Sequence, residues 1–139
     1  MDILQHYIKQ QTYHSYKSLD RPKKRSSIFV VIPCYNEPDI LTTLNSLLLC
    51  YPPEKEVSVL IVINSSVDAP KEAILQNIST SDCIGSWINE HPLSFFDVQR
   101  ILAPDLPKKW AGVGWARKIG MDEAVRELVE NDFSDGIIV

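Results

Sequence analysis

Three short segments carry the residues whose types and spacing could do chemistry. The first is Pro33-Cys-Tyr-Asn-Glu-Pro-Asp39. A tyrosine just past a strand can stack on a base or support a ribose. Asn36 and Glu37 add polar groups, and a following helix start would offer free N–H groups to an anion. The same residues have a plainer use: Tyr35 packs at a rim, Asn36 caps a helix, and Glu37 or Asp39 complements its dipole. The residues alone leave both uses open. The second segment is Asn64-Ser-Ser-Val-Asp68. Asn64 carries a donor and an acceptor that suit a base edge, or it opens a turn leading to a cap at Asp68. The third runs from Lys108 to Gly120, where Gly112 and Gly114 let backbone approach a ligand at a helix start. It is no Walker loop, because no Gly-Lys-Ser/Thr follows, and no dinucleotide fingerprint, because a Pro-rich loop separates it from the preceding strand.

Helical spacing in that third segment puts Arg117, Met121, Val125 and Leu128 on one otherwise apolar face. Arg117 is thereby expected along the buried stripe, where it needs a partner such as a phosphate or a base carbonyl. Lys118, Asp122, Arg126 and Glu130 alternate in sign at four-residue steps and read as a solvated, salt-bridged face.

The elements that must position these segments follow from hydrophobic pattern. Ile28 to Ile32 is a continuous apolar run of the kind buried on both faces of a parallel sheet, and Val57 to Ile63 is a second strand of the same buried type. Between them, Ile40, Leu41, Leu44, Leu47 and Leu48 form a helical face, with Asn36 as the expected N-cap and Pro38 in the first turn. Ala69 to Asn77 and Ser81 to His91 read as two further helices, and Asp97 to Leu102 as a third strand. Ala103 to Lys109 reads as a loop, since two prolines bar regular structure. A long helix lies within Trp110–Asn131, and Gly136 to Val139 begins a fourth strand. Asp132 and Asp135 precede that strand as turn residues. Ahead of the first strand, Asp2 to Lys17 suggests a short helix, and Leu19 to Ser27 a solvated basic linker around Pro22. The expected fold is α/β: a Rossmann-like, open, mainly parallel sheet with flanking helices. Residues 1–27 form an N-terminal helix and linker, and 28–139 the binding domain. Ligands in such sheets sit beyond the C-terminal strand ends, where all three segments fall.

Composition narrows the classes. The chain of 139 residues has 45% hydrophobic and 23% charged residues, an ordinary globular balance. The net charge of −4 argues against nucleic acid as a partner. No apolar run approaches the length of a bilayer span, and no signal peptide is evident. Cys34, Cys50 and Cys83 are an odd, scattered set that fits a reducing cytoplasm, and His6, His14 and His91 do not converge on a metal.

Taken together, Val30 to Pro38 (V-V-I-P-C-Y-N-E-P), Leu60 to Asp68 (L-I-V-I-N-S-S-V-D) and Gly114 to Gly120 (G-W-A-R-K-I-G) resemble the motifs of the family 2 glycosyltransferases of GT-A fold, in order and spacing. The resemblance covers about Ile28 to Val139, weakly between Ala69 and Arg100. It implies a site for the nucleotide of a UDP- or GDP-linked sugar, whose sugar the parent enzyme transfers to a glycan or lipid acceptor. Carried over by position, Pro33 and Tyr35 line base and ribose, and Glu37 is the acidic residue of the same rim. Asn64 stands at the second position of an Asp-Asp pair that contacts the base, and Arg117 at the arginine that reaches the nucleotide. Ile63 and Lys118 depart from the family pattern, and Asn64 keeps hydrogen bonding without charge. The resemblance also implies a divalent cation, Mn or Mg, held by an Asp-x-Asp after the fourth strand, and a carboxylate base in an acceptor half. Neither is in this chain, which is therefore expected to be the donor-binding N-terminal part of a longer transferase and inactive alone. The cysteine usage makes a cytoplasmic protein the expectation, and because anchors in this family often lie downstream, the resemblance allows the parent to be membrane-associated through downstream sequence. The alternative is a non-catalytic nucleotide-binding or assembly module that forms a homo-oligomer through the sheet edge at Ile137-Ile138-Val139.

Overall fold

The computed structural model describes residues 3–11 and 16–139. Asp2, His14 and the rest of 12–15, which the first expected helix and the histidine survey include, lie outside the described residues. The elements are α1 (Ile3–Gln11), β1 (Lys17–Ser18), β2 (Ile28–Cys34), α2 (Ile40–Leu48), β3 (Val57–Ser66), α3 (Lys71–Glu90), β4 (Phe96–Leu106), a 3-10 turn (Lys108–Trp110), α4 (Val113–Glu130) and β5 (Ile137–Ile138). They make an α/β fold around a five-stranded, mixed, mostly parallel open sheet of order β1-β4-β3-β2-β5. Only β1 runs antiparallel, against β4.

The apolar run Val59 to Ile63 places β3 at the centre, where every residue from Val57 to Ser65 is buried. Alternate side chains serve two cores. Val57, Val59, Ile61 and Ile63 pack with Leu44 of α2 and with Ile84 and Trp87 of α3. Leu60 and Val62 pack with Phe29 of β2, Ile101 of β4, and Ala116, Ile119 and Ala124 of α4. Thus α2 and α3 cover one face and α4 the other. The chain steps from β2 to β3 to β4, then crosses back to place β5 on the far side of β2. This reversal brings the start of α4 to the C-terminal ends of β2 and β3.

Several expectations are corrected. Residues 78–80 do not break a helix: α3 is continuous, because its central polar groups have tertiary partners. Thr80 Oγ1 donates to the Glu37 carbonyl at 2.8 Å, and the Ser81 carbonyl accepts from Arg100 at 2.9 Å. The strand β4 runs through Pro104 to Leu106. Asn64 pairs with Ala103 and Ser66 with Leu106, so β4 carries one extra residue between them. That bulge absorbs the proline and the left-handed Asp105 (φ 56°). Asn36 does not cap α2. It is itself left-handed (φ 50°), and Asp39 is the N-cap. The segment before β2 is more than a solvated linker. Lys17 and Ser18 add an edge strand, and Asp20 grips Arg100 of β4 with both carboxylate oxygens at 2.9 Å. The backbone N–H of Lys23 donates to the buried Asp97 at 2.7 Å.

The expected faces of α4 are also corrected. Arg117 and Met121 are exposed and Val125 is half-buried, whereas Leu128 is buried as expected, together with Ala116, Ile119, Gly120, Glu123, Ala124 and Glu127. Asp122, read as solvated, is 1% exposed. It accepts from Tyr7 of α1 at 2.6 Å and pairs with Lys118 at 2.8 Å. Glu123 accepts from the Tyr16 hydroxyl. Glycine at 120 permits the close fit of α4. A Cβ there would stand 2.3 Å from Val31 Cγ1 and 2.9 Å from Val62 Cγ2.

Candidate functional site

A cleft of about 410 Å³ opens where β2 and β3 end and α4 begins, lined by Pro33, Cys34, Tyr35, Asn64, Ser65, Ser66, Ala111, Gly112 and Val113. Each wall has a local cause. Pro33 and Cys34 are the last residues of β2, in register with Val62 and Ile63. Beyond them the chain turns at left-handed Asn36, leaving Tyr35 47% exposed on the rim. On the opposite wall Gly112 takes φ 130°, a conformation that favours glycine, and a Cβ there would meet nothing within 4 Å. Backbone conformation, not space, selects glycine at this position. Gly112 is the N-cap of α4 and supplies no side-chain cap, so the helix opens beside the cleft with backbone N–H groups at its start.

The sequence-derived candidates divide. Pro33, Tyr35 and Asn64 meet in this cleft; Glu37 and Arg117 are not among its lining residues. Asn64 is buried, and its Nδ2 donates to the carbonyls of Cys34 at 3.0 Å and Val62 at 3.2 Å. The first bond joins the ends of β2 and β3 and the second stays within β3, so the amide hydrogens are spent and any ligand contact is left to the side-chain oxygen. Glu37 is exposed and bonds the N–H of Asp39 at 2.9 Å, a local turn contact. Arg117, expected along the buried stripe, is exposed on α4, one turn beyond Val113 of the cleft wall. Burial pushes the Cys34 thiol up to about 11, with the nearby Glu37 charge adding to the shift, so it is neither thiolate nor nucleophile at neutral pH.

Sequence reasoning missed the residues that hold the rim. On α3, buried Asn77 accepts from the Asn36 N–H at 2.9 Å and donates to the Asn64 carbonyl at 2.9 Å. Thr80 and Gln76 bond the next carbonyl, that of Glu37. Their only sequence signal was a polar run inside a helical pattern, which looked like a helix break.

The lining residues do not fit a divalent cation. They offer hydroxyl, amide and backbone groups but no carboxylate, and among the described residues no three His, Cys, Asp or Glu converge. Among those residues, too, no helix is long and apolar enough to cross a membrane. No protein-family model, no curated protein and no solved structure matches this chain.

Proposed function

We propose that this chain binds the nucleotide of an activated sugar in the cleft between β2, β3 and α4, as the donor-binding part of a glycosyltransferase resembling the GT-A members of family 2. The observation that carries the reading is the joint placement of Tyr35, Asn64 and the glycine-led N-terminus of α4 around one cleft. Tyr35 supplies a face for the base. The side-chain oxygen of Asn64 is an acceptor suited to an N–H on a base edge, as uracil and guanine present. The N–H groups of α4 suit a phosphate, and the exposed Arg117 one turn further has the length and charge to meet a second one. A UDP- or GDP-linked sugar combines these features, and a glycan or lipid hydroxyl would be the acceptor in the complete transferase.

Calorimetric titration with UDP, GDP and ADP tests the reading. Binding of UDP or GDP, weakened roughly 5- to 100-fold by Tyr35→Ala, is the expected outcome, because base stacking on an aromatic contributes about 1–3 kcal/mol. Equal binding of all three by Tyr35→Ala and the parent chain, or no binding at millimolar nucleotide, would remove the cleft as a nucleotide site.

A further inference from the structure

Resting on that reading of the cleft, we infer that Asn77 is a positioning residue that couples the Tyr35 rim to the β3 wall and sets the shape of the nucleotide site. Three observations meet at this side chain. Asn77 lies in the second turn of α3, outside both strands it contacts, and is 8% exposed. One end of its amide accepts from the backbone N–H of Asn36, and the other donates to the backbone carbonyl of Asn64, both at 2.9 Å. Asn36 is held left-handed, a conformation that costs free energy outside glycine even though asparagine tolerates it better than most.

These facts fit one mechanical account. The left-handed residue reverses the chain after β2 and so fixes where Tyr35 stands. Its N–H points at α3, and Asn77 is the acceptor that satisfies it. Asn64 is already tied to Cys34, so the second arm of Asn77 closes a loop of bonds through both walls: Asn36 to Asn77, Asn77 to Asn64, Asn64 to Cys34. A buried amide with both ends used is costly to truncate, because each backbone partner loses its bond. Residues of α3 thus govern a site they do not line. Asparagine suits position 77 because one side chain must both donate and accept; aspartate, ionised, could only accept, and leucine could do neither.

The test uses the full chain and two readouts. The first is hydrogen exchange of the Asn36 amide without ligand, referenced to Leu60 and Val62 in the core of β3. The second is UDP and GDP affinity. In N77A the Asn36 amide is expected to exchange about tenfold or more faster while Leu60 and Val62 keep their rates, and nucleotide affinity falls about tenfold. Adding Asn36→Gly to N77A should recover part of the affinity, since glycine takes φ 50° without the clamp. N77D should keep Asn36 protected, through its acceptor, yet bind nucleotide more weakly through loss of the Asn64 arm; it answers the question if N77A does not fold. Unchanged Asn36 exchange in N77A, exchange rising equally at Leu60 and Val62, or full affinity in N77D would each overturn the inference. If the parent chain binds no nucleotide, the functional reading fails alone, and the exchange of Asn36 in N77A still decides the positioning role.

Discussion

Glu127 faces the sheet from α4 at 4% exposure, an unusual place for a carboxylate. Its Oε1 accepts from Gln99 of β4 at 3.0 Å, while Oε2 has no hydrogen-bond partner among the described residues. Burial raises its pKa from 4.5 to about 7. The Gln99 bond opposes the rise, and the charges of Glu123, Asp97 and Glu130 add to it. The sign follows directly. The folded state holds this proton more tightly than the unfolded chain. Its stabilisation is therefore complete below about pH 4.5 and is lost as pH rises through about 7. A gap of two to three pH decades corresponds to about 3 kcal/mol, a large fraction of a domain's stability. In E127Q the amide oxygen can still accept from Gln99 and there is no proton to lose. Its new NH2 group costs about 1–3 kcal/mol if unpaired, at every pH alike. Urea unfolding from pH 5 to pH 8.5 is the assay. The parent chain should lose about 2–3 kcal/mol more across that range than E127Q does. Parallel pH profiles for the two proteins would show that Glu127 is not the buried proton site, and the account of α4 packing would fail with it.

Two further predictions concern how the scaffold is held. Gly120→Ala places a methyl against Val31 and Val62, an overpacking that costs about 1–3 kcal/mol against a helix-propensity gain of about 1 kcal/mol. Net destabilisation on urea unfolding, relieved by adding Val31→Ala, is expected; a Gly120→Ala protein as stable as the parent would show that α4 does not sit this close. Asp20→Ala removes both oxygens that hold the guanidinium of Arg100, whose side chain is 17% exposed. About 1–3 kcal/mol should be lost. Glu56→Ala, which breaks the more exposed pair with Lys24, should change stability by less than about 1 kcal/mol. Equal effects in thermal unfolding would contradict a structural strap between residue 20 and β4.

Strands and their order of appearance were legible because burial on both faces leaves a direct mark. Ile28 to Ile32 and Val59 to Ile63 are apolar at successive positions, and no amphipathic helix reads that way. Three of the proposed site residues were legible for a related reason: Pro33, Tyr35 and Asn64 stand at ends of those runs, and strand ends of a parallel sheet meet. What lay hidden depended on contacts remote in sequence. The edge strand at Lys17 and Ser18 has no hydrophobic signature, since it is made by backbone pairing with β4 alone. Pro104 inside β4 contradicts local propensity and is tolerated only at a bulge. Asn77 carries its role through two backbone atoms at positions 36 and 64, neither of which has a side-chain signature for a partner on α3.

The misplaced faces of α4 show why one amphipathic stripe is an unsafe guide to a functional arginine. Two stripes compete in Gly114 to Glu130. The one through Met121, Val125 and Leu128 carries three large apolar residues, and periodicity alone selects it, although only Leu128 of the three is buried. The true inward face sets Ile119 and Leu128 among small residues and carboxylates: Ala116, Gly120, Glu123, Ala124 and Glu127. Those small residues are there because α4 lies against Val31 and Val62, as the 2.3 Å and 2.9 Å approaches of a Cβ at 120 require. The carboxylates are tolerated because other elements satisfy them. Gln99 reaches Glu127 from the sheet, and Tyr16 reaches Glu123 from the strap before β1. With α1 over its flank at Asp122, the helix is covered on more than one side, so the apolar stripe no longer marks the core. Once the faces are exchanged, Arg117 needs no buried partner to explain it. Its candidacy rests on standing exposed one turn from Val113, and a cation there can meet an anionic ligand without the desolvation cost of a buried charge.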